Sequence, residues 1–231
     1  MADKADVITI DGPSGSGKGT IARVLARRLG WHLLDSGALY RAVALAALEA
    51  DIALDQPATL AGLATSVDLR FEETGEVTHT LLNGRCVDAQ LRAETTGEAA
   101  SQIAQYPQVR AALLELQRGF ARPPGLVADG RDMGTVIFPR ARWKFFLTAA
   151  PQERAARRHK QLKEKGISVS LAALAREIAE RDLRDSERST APLRPASDAS
   201  LIDSTALDIQ AVVALIVTKL EEAGLSVPSS A

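Results

Sequence analysis

Cysteine is nearly absent: Cys86 is the only one in 231 residues. An internal disulfide is therefore excluded, a reducing compartment fits, and a cytoplasmic location is expected. Cys86 itself reads as an ordinary structural residue. No charge of one sign dominates, since 28 Lys+Arg against 29 Asp+Glu leave a formal net charge of −1. That excludes the general electrostatic footprint of a nucleic-acid binder or of a protein held on an anionic membrane, so any anion binding must be local. Long apolar runs are missing too. The longest, Ala42–Leu48 and Ala211–Val217, fall far short of a membrane span. The start, Met1-Ala2-Asp3-Lys4-Ala5-Asp6, is charged with no apolar run behind it, and no signal peptide is expected. Repeats and low-complexity segments are absent. The three histidines, His32, His79 and His159, are scattered without ligand spacing and no Ser-His-Asp set is visible, so each histidine is expected to be structural. The last residues, Ser226 to Ala231, are expected to fray.

What is present starts with Gly12-Pro13-Ser14-Gly15-Ser16-Gly17-Lys18-Gly19-Thr20. The run Gly12-x-x-x-x-Gly17-Lys18 has the spacing of a phosphate-binding P-loop. The β-branched run Val7-Ile8-Thr9-Ile10 before it suits a buried strand, and Ile21, Val24, Leu25 and Leu29 after it recur at helical spacing. Glycines let successive backbone N–H groups turn toward one point, the helix adds its positive N-terminal end, and Lys18 supplies a point charge for the outer phosphates. One departure stands out. The usual motif places Ser or Thr directly after the lysine to bind Mg²⁺, but that position is Gly19, with Thr20 following, so ligation by a hydroxyl there is impossible. The Lys-Gly-Thr ending is similar to the pattern of nucleoside monophosphate kinases.

The rest of the chain reads as an interrupted α/β sheet. His32-Leu33-Leu34 is expected as a strand ending at Asp35-Ser36-Gly37, followed by a helix from about Ala38 to Glu49. Val67, Leu69 and Phe71 alternate, Glu73-Thr74-Gly75 makes a turn, and Val77–Leu82 is strand-like. Asn83-Gly84 is a hairpin signal before Arg85–Val87, which gives a small antiparallel insert over roughly Asp55–Asp88. Helices are expected over Leu91–Gln105 and on the stripe Val109, Leu113, Leu116 and Phe120. Further strands are expected at Leu126-Val127-Ala128, Lys144–Leu147 and Leu201-Ile202-Asp203, with a charged stretch over Pro151–Ser189. Thr205-x-x-Asp208 reads as a capping box before a helix bearing Ile209, Val212, Val213, Ile216 and Leu220, stopped at Gly224. Short apolar strands alternating with helices imply a parallel sheet covered on both faces, with ligands at the carboxyl ends of the strands. The phosphate loop, Asp35-Ser36 and Asp129–Asp132 would all fall on that edge.

Asp129-Gly130-Arg131-Asp132 gathers two acids and an arginine at a strand end, where a carboxylate can hold Mg²⁺ through water. Tyr40 and Arg41 sit near the same crevice. Arg154, Arg157 and Arg158, at i, i+3 and i+4, share one helical face. Arg181, Asp185 and Arg188, at i, i+4 and i+7, share another. Alone, each face reads as solvated helix; beside a phosphate loop, each is a source of cations for phosphoryl transfer.

Four blocks in order, Asp11–Thr20, Leu34-Asp-Ser-Gly-Ala-Leu-Tyr-Arg41, Ala128-Asp-Gly-Arg-Asp-Met-Gly-Thr-Val136 and Arg181-Asp-Leu-Arg-Asp-Ser-Glu-Arg188, resemble the bacterial cytidylate kinase family over nearly the whole chain. The resemblance implies a P-loop kinase with a central parallel sheet flanked by helices, a small antiparallel insert and a helical lid. It implies one kinase domain over residues 1–231, with a core of about 1–36, 107–150 and 190–231, a monophosphate-binding region of about 37–106 and a lid of about 151–189. It implies ATP as phosphoryl donor and Mg²⁺, with Gly12, Pro13, Ser14, Gly15, Ser16, Gly17, Lys18, Gly19 and Thr20 on the ATP phosphates. Ser36, Arg41 and Arg131 would grip the acceptor phosphate. Ser101, Arg110 and Asp132 would read the cytosine, and Arg181 and Asp185 would meet the sugar. Arg188 and the Arg154, Arg157, Arg158 group would surround the transferring phosphoryl. Lys18, Arg131, Arg158 and Arg188 are then the catalytic cations and Asp129 a water-mediated Mg²⁺ contact; Gly19 is usual in this family, whose Mg²⁺ is held by phosphates and water. For Ser101 and Arg110 the resemblance is the only ground.

The expected activity is ATP-dependent phosphorylation of cytidine monophosphate, and of its deoxy form, by a monomer whose partners are small nucleotides rather than nucleic acid or membrane. Two other readings share the first block: a P-loop kinase for another small acceptor such as shikimate, and a nucleotide-driven switch protein. The former needs neither the cytosine-reading set nor the insert. The Asn-Lys-x-Asp guanine box of switch GTPases is absent.

Overall fold

The computed structural model describes residues 5–74, 77–164 and 166–228. They form two compact units, one of residues 1–34 and 118–231, the other of residues 35–117.

The first unit is built on a five-stranded parallel sheet. Its strands are β1 (Val7–Asp11), β2 (His32–Asp35), β6 (Leu126–Gly130), β7 (Trp143–Thr148) and β8 (Ser200–Asp203), in the order β2-β6-β1-β7-β8. Every residue of β1 and β6 is buried, as near-continuous apolar strands covered on both faces should be. The register sets Val7 opposite Leu126 and Ile8 opposite Trp143. Helix α1 (Lys18–Leu29) packs beside α9 (Ile209–Glu222), and Ile21, Leu25, Val213, Ile216 and Leu220 close over Ile8 and Leu147. Helices α7 (Pro151–Glu164) and α8 (Leu171–Glu187) pack on each other. Because β1, β6 and β7 run parallel, the phosphate loop and Asp129–Asp132 leave the sheet from one edge, as expected. After β6 the chain makes a wide π-type turn over Met133–Ile137, in which Asp132 O accepts Ile137 N at 3.2 Å and Met133 O accepts Phe138 N at 2.7 Å. Five residues are too few for any periodicity to signal such a turn.

The second unit holds α2 (Ser36–Glu49), α3 (Pro57–Ser66), α4 (Asp88–Leu91), α5 (Glu94–Ile103), most of α6 (Pro107–Arg118) and an antiparallel sheet of β3 (Leu69–Thr74), β4 (Val77–Leu82) and β5 (Arg85–Cys86). Helix α2 packs against α5, and Ala42, Leu45, Leu82, Val87 and Leu91 form a small core under the sheet.

Several local expectations are corrected. The insert is not antiparallel throughout, because its first part is α3, started by Pro57 in the first turn. Helix α2 begins at Ser36 rather than Ala38, since Asp35 Oδ1 caps it by accepting Ala38 N at 3.0 Å. The expected helix over Leu91–Gln105 is two, α4 and α5, parted at Arg92 and Ala93. On α6, Leu116 is 39% exposed and Gln117 is fully buried in its stead. Thr205 is no capping box: Asp208 caps α9 by accepting Ala211 N, while the Thr205 hydroxyl donates to Asp203. The tail does not fray at 226–228, where Val227 is buried in the core and Pro228 O accepts Arg28 Nε at 2.7 Å. The turn expected at Gly75 and the tail beyond residue 228 lie outside the described residues. Among the described residues no helix is long and apolar enough to cross a membrane.

Gly125 generates a test of this packing. A Cβ there would lie 2.3 Å from the Trp31 indole, which itself stands 6.3 Å from the Trp143 ring. Gly125→Ala should destabilise the first unit by about 1–3 kcal/mol through overpacking. Trp31 and Trp143 are the only two tryptophans, so urea denaturation followed by fluorescence reads the change directly. An unchanged midpoint would contradict the packing.

Candidate active site

The loop from Gly12 to Gly17 joins β1 to α1. Gly15 and Gly17 have φ of 77° and 92°, left-handed values that a glycine reaches at no cost, and Gly17 O accepts Thr20 N and Ile21 N to start the helix. Lys18 lies over the loop: its Nζ donates to Pro13 O at 3.3 Å and stands 3.9 Å from Asp129 Oδ1. Ser16 is buried, and its Oγ has no hydrogen-bond partner among the described residues. Thr20 is exposed. Two arginines of α7 brace the loop. Arg154, 3% exposed, donates to Ser14 O and Ala149 O at 3.0 Å each and to Asp182 on α8 at 2.5 Å. Arg157 donates to Ser204 O at 2.5 Å, and the Ser204 hydroxyl reaches Ser16 O at 3.1 Å. Arg154 and Arg157 are thus seated on carbonyls rather than arrayed on a solvated face, while Arg158 is half-buried.

At the end of β6 the acids and arginines interlock. Arg131 Nε donates to Asp185 Oδ2 at 2.8 Å. Arg188, its side chain 5% exposed, stands 3.8 Å from Asp185 and 4.0 Å from Asp132. Burial pushes the Asp185 carboxyl up, but the charges of Arg131, Arg181 and Arg188 outweigh it and hold it below the usual carboxylate range. Arg188 is not on the helical face expected of it. It follows the last residue of α8, where its Nε donates to Ala191 O at 2.6 Å. Arg181 is half-buried.

In the second unit the Ser36 hydroxyl donates to Gln117 Oε1 at 2.7 Å, and Gln117 Nε2 is held by Leu113 O. A hydroxyl has one proton, so Ser36 can give it to an anion only by releasing Gln117. Arg41 is half-buried on α2. Arg110 is buried on α6, donates to Ala104 O, and lies 5.7 Å above the Tyr40 ring. Ser101 is buried on α5 with no partner for its Oγ among the described residues.

Gly19 now has a physical reason. A Cβ at that position would lie 2.9 Å from Asp129 Oδ2, closer than real Cβ atoms come. The Asp129 carboxylate, 6% exposed, takes up the space that a serine or threonine would need, and meets the positive end of α1, which carries no acid in its own first turn. One hard oxygen donor beside a loop for phosphates fits Mg²⁺, which keeps most of its shell as water and phosphate oxygen.

A profile of the cytidylate kinase family matches residues 8–222. A cytidylate kinase of Aeromonas hydrophila is 53% identical over 222 residues, 96% of each chain. Those of Aeromonas salmonicida and Photobacterium profundum are each 52% identical, over 222 and 223 residues, covering 96% of this chain and 96% and 98% of theirs. The chain belongs to the cytidylate kinase family. Solved structures are less alike: an uncharacterized protein from Eubacterium ventriosum is 13% identical over 94% of this chain and 98% of that one with a TM-score of 0.45, and a putative kinase from Chloroflexus aurantiacus 14% identical over 95% and 97% with a TM-score of 0.40. The fold stands on the five-stranded sheet itself.

In this cytidylate kinase family member the structure adds residues that spacing did not single out: Asp11, Gln117, Asp182 and Ser204. Asp11 closes β1 and accepts Met133 N and Gly134 N at 2.8 Å each, tying the start of the phosphate loop to the turn after β6. Its place in the first sequence block was legible, but its partners lie more than a hundred residues away in the chain. Burial pushes the Asp11 carboxyl up to about 7, against the pull of the two amides and helped by the charges of Asp132 and Asp129. A folded-state pKa above the unfolded value of 3.8 means that the folded protein holds the proton more tightly. The stability this contributes is complete below pH 4 and is lost as the pH rises through about 7. Urea denaturation at pH 5 and pH 8 should show wild type losing about 1–3 kcal/mol relative to Asp11→Asn across that interval. Parallel pH profiles of the two proteins would refute it.

Proposed function

We propose that this protein transfers the terminal phosphoryl group of ATP to cytidine monophosphate, and to deoxycytidine monophosphate, yielding the diphosphates. The observation that carries this reading is the span of the relationship, 52–53% identity over 96% of the chain. A phosphate loop alone is common to kinases of many acceptors; this span takes in Ser36, Arg41, Ser101, Arg110 and Asp132 as well.

Phosphoryl transfer between nucleotides needs positioning and charge stabilisation more than covalent chemistry. In this reading Gly12–Thr20 hold the ATP phosphates with Arg154 and Arg157 behind the loop, and Lys18 follows the migrating group. Arg131, Arg158 and Arg188 stabilise the charge that develops on it. Ser36, Arg41 and Arg131 bind the acceptor phosphate, Arg181 and Asp185 the sugar, and Ser101, Arg110 and Asp132 the base. The buried Oγ atoms of Ser16 and Ser101 support the assignment, since a buried hydroxyl without a protein partner is costly unless a ligand engages it. No general base is required, because the acceptor is already an anion. Asp129 would hold Mg²⁺ through water, and the ion would neutralise phosphate charge. The enzyme acts as a monomer on small nucleotides in a reducing cytoplasm.

A coupled assay tests the reading. ADP release from ATP should require cytidine monophosphate and should not appear with shikimate or without an acceptor. Lys18→Ala should cost turnover about 10²–10³-fold, or about 3–4 kcal/mol, with unchanged melting. Activity within tenfold of wild type would remove the phosphate-loop assignment.

The base assignment has its own test. Cytosine offers an exocyclic amine where uracil offers a carbonyl oxygen, and a carboxylate accepts from the first and repels the second. Asp132, 3% exposed, is the proposed acceptor. Asp132→Asn should lower kcat/KM for cytidine monophosphate and narrow the preference over uridine monophosphate by at least about tenfold, about 1.4 kcal/mol. An unchanged ratio places base reading elsewhere.

A further inference from the structure

The β4-β5 hairpin and the start of α4 gather three metal-ligating side chains, His79, Cys86 and Asp88. Cys86 on β5 pairs with Leu81 on β4, so it shares a sheet face with His79, two residues along. The other face carries Thr80 and Leu82, both buried, with Leu82 in the small core. The His79–Cys86 face is outward: Cys86 is exposed, and the His79 side chain is 38% exposed. Asp88, first residue of α4, completes the group. Its Oδ1 accepts Thr80 N at 2.8 Å, which fixes the carboxylate, and its Oδ2 stands 2.9 Å from His79 Nδ1. Cys86 Sγ is 3.9 Å from the same nitrogen. All three donor atoms lie within 4.8 Å of one another.

A thiol, an imidazole and a carboxylate can serve either nucleophilic catalysis or metal binding, and the geometry discriminates. A catalytic relay uses the two ring nitrogens in series, one on the acid and the other on the nucleophile. Here the acid and the thiol both face Nδ1, so the donors converge on one point. Around a tetrahedral zinc, with Zn–S about 2.3 Å and Zn–N and Zn–O about 2.0–2.2 Å, neighbouring donors sit about 3.3–3.6 Å apart. The observed 2.9 Å and 3.9 Å bracket that spacing, within reach of small side-chain rotations.

We propose that His79, Cys86 and Asp88 form a three-ligand site for Zn²⁺, with water or an external ligand in the fourth position. Thiolate and imidazole select a borderline-soft ion over Mg²⁺, which takes oxygen donors, so this site and the Asp129 carboxylate call for different metals. Binding clamps β4 and β5 to the first turn of α4 and releases the thiol proton.

Because Cys86 is the only cysteine, sulfur ligation can report no other site. Co²⁺ serves as the visible stand-in for Zn²⁺. Full-length protein stripped with a chelator and titrated with CoCl₂ should develop a thiolate-to-cobalt charge-transfer band in the near ultraviolet, saturating at about one equivalent, and ZnCl₂ should displace it. Cys86→Ser should abolish the band. His79→Gln and Asp88→Asn, the latter keeping an acceptor for Thr80 N, should each weaken Co²⁺ binding at least about tenfold. If a variant lacks the wild-type circular dichroism, alkylation of Cys86 in folded wild type or measurement on the remaining variants replaces it. No band in wild type overturns the site. A band whose affinity survives both His79→Gln and Asp88→Asn also overturns it, since the thiol then holds an adventitious ion only.

Discussion

The Asp11 carboxylate is the tie on which the phosphate end of the first unit depends. It terminates β1, one residue before the loop, and takes the amides of Met133 and Gly134 from the far side of β6. A buried carboxylate without such donors would be prohibitive, and buried amides in a π-type turn need acceptors, so each resolves the other. Through this tie the loop that carries Lys18 and the segment that carries Asp129, Arg131 and Asp132 share one frame. Burial raises the Asp11 pKa, and the nearby charges of Asp132 and Asp129 add to it.

Charge compensation organises the rest of that edge. Arg131, Arg188 and Asp185 would each be costly to bury singly; interlocked, they offset one another and pin the end of α8 to β6. Arg154 does the same for the loop, spending its donors on two carbonyls and Asp182. In the proposed reading an entering phosphate would compete for these guanidinium groups with the carboxylates already in place. Gly19 belongs to the same economy of space, because the missing Cβ is the room in which the Asp129 carboxylate sits.

The second unit follows a different rule. Its antiparallel sheet buries Thr80 and Leu82 and turns His79 and Cys86 outward, so its outer face is free of the core's demands. Histidine and cysteine can gather on such a face without cost to folding. The capping of Thr80 N by Asp88 then brings the third donor beside them.

Strong local patterns were legible in the sequence alone. The apolar runs of β1 and β6, the glycine loop opening α1, the Asn83-Gly84 hairpin and the amphipathic α9 each show as a pattern within a dozen or so residues, and the four motif blocks carried the family. The α3 helix and the split of α4 from α5 differ from the local pattern, and the start of α2 and the cap of α9 were each decided by one aspartate hydrogen bond, from Asp35 and from Asp208. Only the tertiary structure paired Asp11 with Met133 and Gly134, Ser36 with Gln117, and Arg154 with Ser14 and Asp182. It also brought His79 to Cys86, which spacing had left as unrelated residues. Residue type and periodicity specify what a side chain can do. The partner it meets depends on how distant segments cross, and no local pattern encodes that crossing.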